Sequence, residues 1–180
     1  MQTTSEARSI RTWNGLYVDV FDPKPEMFNI RDIAHALSMQ PRFLGHLPIF
    51  YSVAQHSIQV ADIVAKEHPE LALEALLHDA AEAYIGDQAS PIKKELPDYK
   101  ALEATVEASI RLAFNLGPKN PIVKAADYQS YDWEVAHLRS GDPFVWQYED
   151  DWKSVRTRFM NRYYDYNDLR TKAATITAKC

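Results

Sequence analysis

Cysteine is all but absent: the one thiol, Cys180, is the last of 180 residues. A single thiol makes no internal disulfide, and a chain end is a poor place for a nucleophile or a metal ligand. Glycine is scarce at five residues, and with ten prolines it is too small a share for a fibrous or disordered chain. No apolar run approaches the roughly 18 to 20 residues that a membrane span needs. The opening Met1-Gln2-Thr3-Thr4-Ser5-Glu6 is polar and lacks an apolar signal core. Basic residues are outnumbered, 20 Lys and Arg against 25 Asp and Glu, and the net charge of −5 argues against general polyanion binding. These absences point to a cytoplasmic, reducing compartment with neither membrane nor nucleic acid as partner. Any phosphate chemistry must then use a local basic cluster.

What is present suits one globular domain, with 46% hydrophobic and 25% charged residues. Asn14-Gly15, flanked by aromatic and β-branched residues, predicts a hairpin with a type I′ turn. Pro23 and Pro25 end any strand there. Beyond them the period is helical. Asn29 caps a helix over Ile30 to Met39, and Pro41 closes it before a loop over Arg42 to Phe50. Further helices are expected over Tyr51 to Glu67, from Pro69 to about Tyr84 with Gly86 as the stop, over Pro97 to Leu116, from Pro121 through Tyr131, and over Asp151 to Tyr164. Gln88 to Leu96 reads as a loop or short turn, and the tail beyond Leu169 is weakly patterned. The expected fold is all-α, a single-domain helical bundle with a small N-terminal β-hairpin. Its parts are a hairpin and extended arm at 1–28, a core at 29–135 and a C-terminal helical extension at 136–180.

Several polar residues fall on faces that should be buried. His56 lies on the apolar stripe of its helix, between Val53 and Val60. His78 and Asp79 end the apolar stretch Leu71 to Leu77, and Asp127 follows Val123, Ala125 and Ala126. A carboxylate on an apolar face is costly unless a cation or hydrogen-bond donors meet it. Two imidazoles and two carboxylates turned inward from separate helices suit a divalent ion, and mixed N and O ligation favours Co, Mn, Fe, Ni or Zn over Ca. Taken singly, His56 suits a hydrogen-bonded core residue and Asp127 a partner for Lys124; the ordered set His, His-Asp, Asp is what points to metal. Glu82 shares the face of His78 and Asp79 at i+4 and i+3, and Asp87 follows the Gly86 stop, so either acid is placed to orient water or protonate a leaving oxygen. Both also fit as solvated helix-end acids. Arg42, Lys93 and Lys124 are the nearest cations. His35 and His46 read as structural, His68 and His137 as surface residues.

The segments Asp32-Ile33-Ala34-His35-Ala36-Leu37-Ser38, Pro41-Arg42-Phe43 and Tyr51 to Ser57 resemble the HD-domain phosphohydrolases. So do Leu76-Leu77-His78-Asp79-Ala80-Ala81-Glu82-Ala83-Tyr84-Ile85-Gly86-Asp87, then Pro91-Ile92-Lys93, then Lys124-Ala125-Ala126-Asp127. The resemblance runs from Trp13 to about Glu134. It is to a bacterial and bacteriophage branch similar to the 5′-deoxynucleotidases and to a cyanophage dATP triphosphohydrolase. It implies His56, His78, Asp79 and Asp127 as metal ligands, with Co, Zn or Mn as the ion and additional Mg or Co accompanying the phosphates. By the same resemblance Glu82 and Asp87 are the catalytic acids, Arg42, Lys93 and Lys124 contact phosphate or sugar, and Phe43 and Pro91 pack on the base. Bulkier residues stand in the cyanophage enzyme where this chain has Phe43-Leu44-Gly45, and Gly45 implies room for a purine 2-amino group. The implied activity is hydrolysis at the α-phosphate of dATP or another purine dNTP, releasing the deoxynucleoside. A 5′-deoxynucleotidase acting on dNMPs and a slow regulatory nucleotide-binding module are the alternatives. Relatives of this kind are dimers or hexamers. For the aromatics around Trp152, Phe159, Tyr163 and Tyr164, a subunit interface and a completed core are equally open.

Overall fold

A computed structural model describes residues 8–139 and 141–177, with side chains as far as Lys172. Cys180 and the polar opening Met1 to Ala7 lie outside the described residues. The hairpin is present: β1 (Ser9–Arg11) pairs antiparallel with β2 (Tyr17–Asp19), Ile10 opposite Val18. Its turn is not the expected two-residue type I′. Thr12 N–H donates to Leu16 C=O at 2.8 Å around a three-residue loop, and within that loop only Gly15, at φ 84°, is left-handed. Asn14 instead uses its backbone N–H to reach Asp32 Oδ1 at 2.9 Å, which ties the turn to the first helix.

That helix, α1 (Ile30–Met39), starts where the cap predicts, Asn29 accepting from Arg31 N–H at 2.8 Å. Ile33, Ala34 and Leu37 form its buried face. Ser52 and Gln55 close a capping box at the start of α2 (Val53–Ala65), so its first turn is fixed from both sides. The expected helix from Pro69 to Tyr84 is interrupted. It forms a 3-10 turn over Pro69–Leu71, then α3 (Ala72–Leu76), a run of tight turns, and α4 (Glu82–Ile85). The His78 ring causes part of the break: its Nδ1 donates to Ala75 C=O at 2.7 Å, a carbonyl an uninterrupted helix would give to Asp79 N–H. Across the break the backbone bonds run i to i+3, Ala80 N–H to Leu77 and Glu82 N–H to Asp79.

The segment expected as a loop or turn holds a short helix, α5 (Ser90–Glu95), and α6 ends at Ala113 (Pro97–Ala113). Asn120 caps α7 (Pro121–Glu134), which passes into a π-helical turn over Val135–Arg139. The last helix, α8 (Trp152–Thr177), runs past Leu169, where patterning is weak. It packs on α1, α2 and α3. Val155 and Phe159 enter the main core fully buried, while Tyr164 is half exposed. One cluster of apolar side chains from the hairpin through Tyr166 forms that core. No described helix is long and apolar enough to cross a membrane.

Candidate metal centre

Three elements bring the polar set together: α2 supplies His56, the turn after α3 supplies His78 and Asp79, and α7 supplies Asp127. One ligating atom from each of His56, His78 and Asp79 lies within 4.8 Å of the others. Asp127 Oδ1 closes the group, 3.2 Å from His56 Nε2 and 3.9 Å from His78 Nε2. Asp79 Oδ2 is 3.1 Å from His78 Nε2 and 3.6 Å from His56 Nε2.

The proton positions decide what these short distances mean. His78 Nδ1 faces a carbonyl, which only accepts, so Nδ1 carries the proton. His56 Nδ1 faces Glu134 Oε1 at 2.8 Å and Ser130 Oγ at 3.1 Å. The Ser130 hydroxyl donates to Gln59 Oε1 at 3.0 Å, so its oxygen is left to accept from His56. Neutral rings then turn two bare Nε2 lone pairs toward two carboxylates. Both Nε2 atoms are buried and make no hydrogen bond. Lone pairs facing lone pairs repel, and a cation between them removes the repulsion. The donor set thus fits a divalent ion, with imidazole and carboxylate ligands of the kind Zn, Mn, Fe and Co accept.

In the metal-free chain, protonation of His78 is the other way to relieve that repulsion. Burial disfavours the charged Asp79 and Asp127, yet His78 and His56 outweigh it and hold both carboxyls well below the usual carboxylate range. Burial also opposes charge on His78, but Asp79 and Asp127 overcome it and raise its pKa. Glu82 behaves in the opposite way. Burial pushes its carboxyl far up, and neighbouring Asp79 and Asp87 add to the push. One of its oxygens, Oε2, is buried without a partner. Asp87 is raised for the same first reason, against the pull of Arg42.

A cavity of about 770 Å³ opens over the cluster. Its lining includes Arg42, Asp79, Glu82, Asp87 and Asp127 together with Phe43, Pro91, Lys93, Lys124 and Tyr131. Gly45 is not among the lining residues. Its φ is 76°, a Cβ built there meets nothing within 4 Å, and its neighbours Leu44 and His46 form the wall in its place. The loop that carries it is nonetheless unusual: Phe43 and Leu44 also take left-handed φ of 54°. Non-glycine residues pay for that conformation, and such strain clusters at functional sites. Arg42 N–H to Tyr51 C=O at 2.9 Å and Val53 N–H to Gln40 C=O at 3.0 Å pin the two ends of the loop.

The family comparison agrees with this geometry. A model of the HD domain matches residues 53–176. The chain belongs to the HD-domain family. It is 35% identical over 175 residues to the uncharacterized protein YfdR of Escherichia coli (strain K12), covering 89% of this chain and 97% of that protein. It is 36% identical over 140 residues to an uncharacterized protein of Rhodobacter capsulatus, covering 71% of each. HD domains are metal-dependent phosphohydrolases, and His56, His78 and Asp79, which lie within the matched span, form a group able to hold a divalent ion.

Reasoning from sequence missed several residues. Glu134 is fully buried and meets both His56 and Arg42, the latter at 2.9 Å from Nη2 and 3.2 Å from Nε. Its spacing was a readable signal: Asp127, Ser130 and Glu134, at i, i+3 and i+7, share one face of α7. His46, expected to be structural, lines the cavity, whereas His35 has the structural place expected of it, stacked on Trp13 at 4.7 Å. Arg139, at the end of the π turn, lies over the Phe43 ring at 5.3 Å.

Proposed function

We propose that this HD-domain protein hydrolyses deoxynucleotides at the α-phosphate, with dATP or another purine dNTP as substrate and the deoxynucleoside as one product. The observation that carries the reading is the cavity itself. Its volume of about 770 Å³ suits a nucleotide, and it brings together Asp79 and Asp127 of the cluster, several cations and the rings of Phe43 and Tyr131. His56, His78, Asp79 and Asp127 would hold the ion, whose chemistry when bound is to polarise a phosphoryl oxygen and acidify water. Arg42, Lys93 and Lys124 neutralise the phosphate oxygens. Glu82, whose carboxyl burial pushes far up, delivers a proton to the leaving 5′-oxygen. Asp87 orients the attacking water and accepts its proton. The P–O5′ bond breaks as the new P–O bond forms.

A dNMP substrate has one observation of its own in favour. Arg42 pairs with Glu134, Lys93 with Glu103 at 2.6 Å and Lys124 with Asp127 at 2.8 Å. Among the described residues that line the cavity, Arg139 is the one cation with no ion pair. Little positive charge is then left over for a second and third phosphate. The decisive experiment incubates the protein and several divalent ions with every deoxy- and ribonucleotide, products being separated by chromatography. Deoxynucleoside plus triphosphate supports the first reading and deoxynucleoside plus phosphate the second. No product from any nucleotide overturns both.

A further inference from the structure

We infer that Glu134 is a positioning residue: it fixes the proton on His56 Nδ1 and the guanidinium of Arg42 with one buried carboxylate, so that the metal-facing nitrogen and the phosphate-facing cation are set together. The inference rests on His56 being a metal ligand. A closed ring of contacts carries it. Glu134 Oε1 meets His56 Nδ1 at 2.8 Å, and Oε2 meets Arg42 Nη2 at 2.9 Å. Arg42 Nη1 then lies 3.9 Å from Asp79 Oδ2, and that same oxygen lies 3.6 Å from His56 Nε2. The ring starts and ends on His56, and Glu134 is its one member with no solvent exposure apart from His56 itself.

Each carboxylate oxygen has a separate task. Oε1 accepts the Nδ1 proton and leaves Nε2 a bare lone pair, the only tautomer of a neutral ring that ligates through Nε2. Ser130 Oγ, at 3.1 Å from the same nitrogen, accepts from it too because its own proton goes to Gln59. Oε2 holds the guanidinium through both Nε and Nη2, a fork that leaves Nη1 turned toward Asp79. A buried carboxylate flanked by one cation and one imidazole N–H has both oxygens satisfied. An amide in its place cannot serve both, since its NH₂ end has nothing to give two donors. Either Arg42 loses its grip, or the amide donates to Nδ1 and drives the ring proton onto Nε2, where it blocks the metal.

The test compares the wild-type chain with Glu134→Gln and Glu134→Asp. Cobalt(II) affinity is measured by competition with a chromophoric chelator, and the His56 tautomer of the metal-free protein by ¹⁵N NMR of labelled histidine. Wild type should show the Nδ1–H form. Glu134→Gln should populate Nε2–H and bind cobalt roughly 10 to 100 times more weakly, the usual effect of losing a residue that orients a metal-binding histidine. Glu134→Asp, which retains the charge, should recover the Nδ1–H form and part of the affinity. An unchanged tautomer and affinity in Glu134→Gln overturns the inference, as does equal weakening in both variants without any tautomer change. If Glu134→Gln does not fold, Glu134→Asp decides alone: Nε2–H in that variant overturns it, and Nδ1–H supports it. Wild-type protein that binds no cobalt would instead remove the metal-site reading on which all this rests, a result that the affinity of the unmodified chain reports separately.

Discussion

The imidazoles of His56 and His78 stand 5.2 Å apart, tilted at 57°, each with its Nδ1 committed to a backbone or carboxylate acceptor and its Nε2 turned toward the other ring's carboxylate neighbours. Two helices and a turn produce this arrangement, yet neither ring gains a hydrogen bond at Nε2 from it. The convergence is costly to the metal-free chain. An ion that binds the folded state alone therefore stabilises it in proportion to its concentration and affinity.

From that relationship follows the first expected outcome. Asp79→Ala removes a carboxylate that lies within 4 Å of both Nε2 atoms and nearest to that of His78, and with it a charge that offsets the ion. Bound metal should fall sharply and activity should vanish, while the helical circular-dichroism signal survives because Asp79 lies in a turn outside the helices. Metal content and turnover equal to wild type would remove Asp79 from the ligand set.

Glu82 tests chemistry apart from binding. It is buried on the cavity wall with one oxygen unpartnered, and it makes no close contact to either imidazole nitrogen. Glu82→Ala should keep the metal and lower kcat by roughly 10² to 10⁴, the range for a positioned acid or base. Metal analysis alongside turnover separates the outcomes: loss of both makes Glu82 a ligand, and an unchanged rate makes it a buried bystander.

How selectivity arises now falls to different residues. Gly45 is outside the cavity lining at positive φ, so Gly45→Ala should cost roughly 1 to 2 kcal/mol of stability and leave the ratio of kcat/KM for dATP and 2-aminoadenine deoxynucleotide unchanged. Tyr131 does line the cavity and tilts against Phe43 with centroids 6.0 Å apart. Tyr131→Ala should weaken purine substrates by about 1 to 3 kcal/mol, the value of one base–aromatic stack. Thermal melts and kcat/KM for the two substrates check both variants. A Gly45→Ala protein that shifts the ratio tenfold would return the pocket wall to Gly45.

Much of this was legible in the order of residues, and the reasons are local. Asn29 as cap and the spacing of Ile33, Ala34 and Leu37 define α1 without tertiary help. His56, His78, Asp79 and Asp127 are conspicuous because polar groups on apolar faces are rare. What escaped was decided by competition or by distance along the chain. The His78 ring takes a carbonyl from its own helix and breaks it, which no periodicity registers. Asn14 donates its backbone N–H to Asp32 Oδ1 in α1, so the turn is tied to a residue 18 positions on. Glu134 meets Arg42 across 92 residues, a pairing that only the fold creates. Beyond Leu169, α8 is tied down by Arg170, whose Nη1 donates to the carbonyls of Phe114 and Asn115 at 2.9 Å each, contacts that no periodicity registers.

His35 supplies a pH dependence of stability that is separate from the cluster. Its ring stacks on Trp13 at 4.7 Å and meets Trp152 edge-on at 5.4 Å, joining the hairpin turn to α8. Arg156 lies over both tryptophan rings, at 5.3 and 5.6 Å. Burial first, and Arg156 second, lower the pKa of His35, against a smaller opposing pull from Asp32. The folded state therefore binds this proton less readily than the unfolded chain, whose histidine titrates near 6.5. A group depressed in this way contributes its stability above the unfolded pKa and loses it as pH falls through the folded value. His35→Phe keeps a ring against Trp13 and cannot be protonated. Melting the metal-free wild type and this variant at pH 7.5 and pH 5.5 isolates the effect, since every other titratable group is present in both. Wild type should lose more on acidification than His35→Phe, so that the difference between them moves in the variant's favour at low pH. A difference in melting temperature that stays constant across the range would mean that the stack accepts the proton at no cost, and would remove His35 from the pH response.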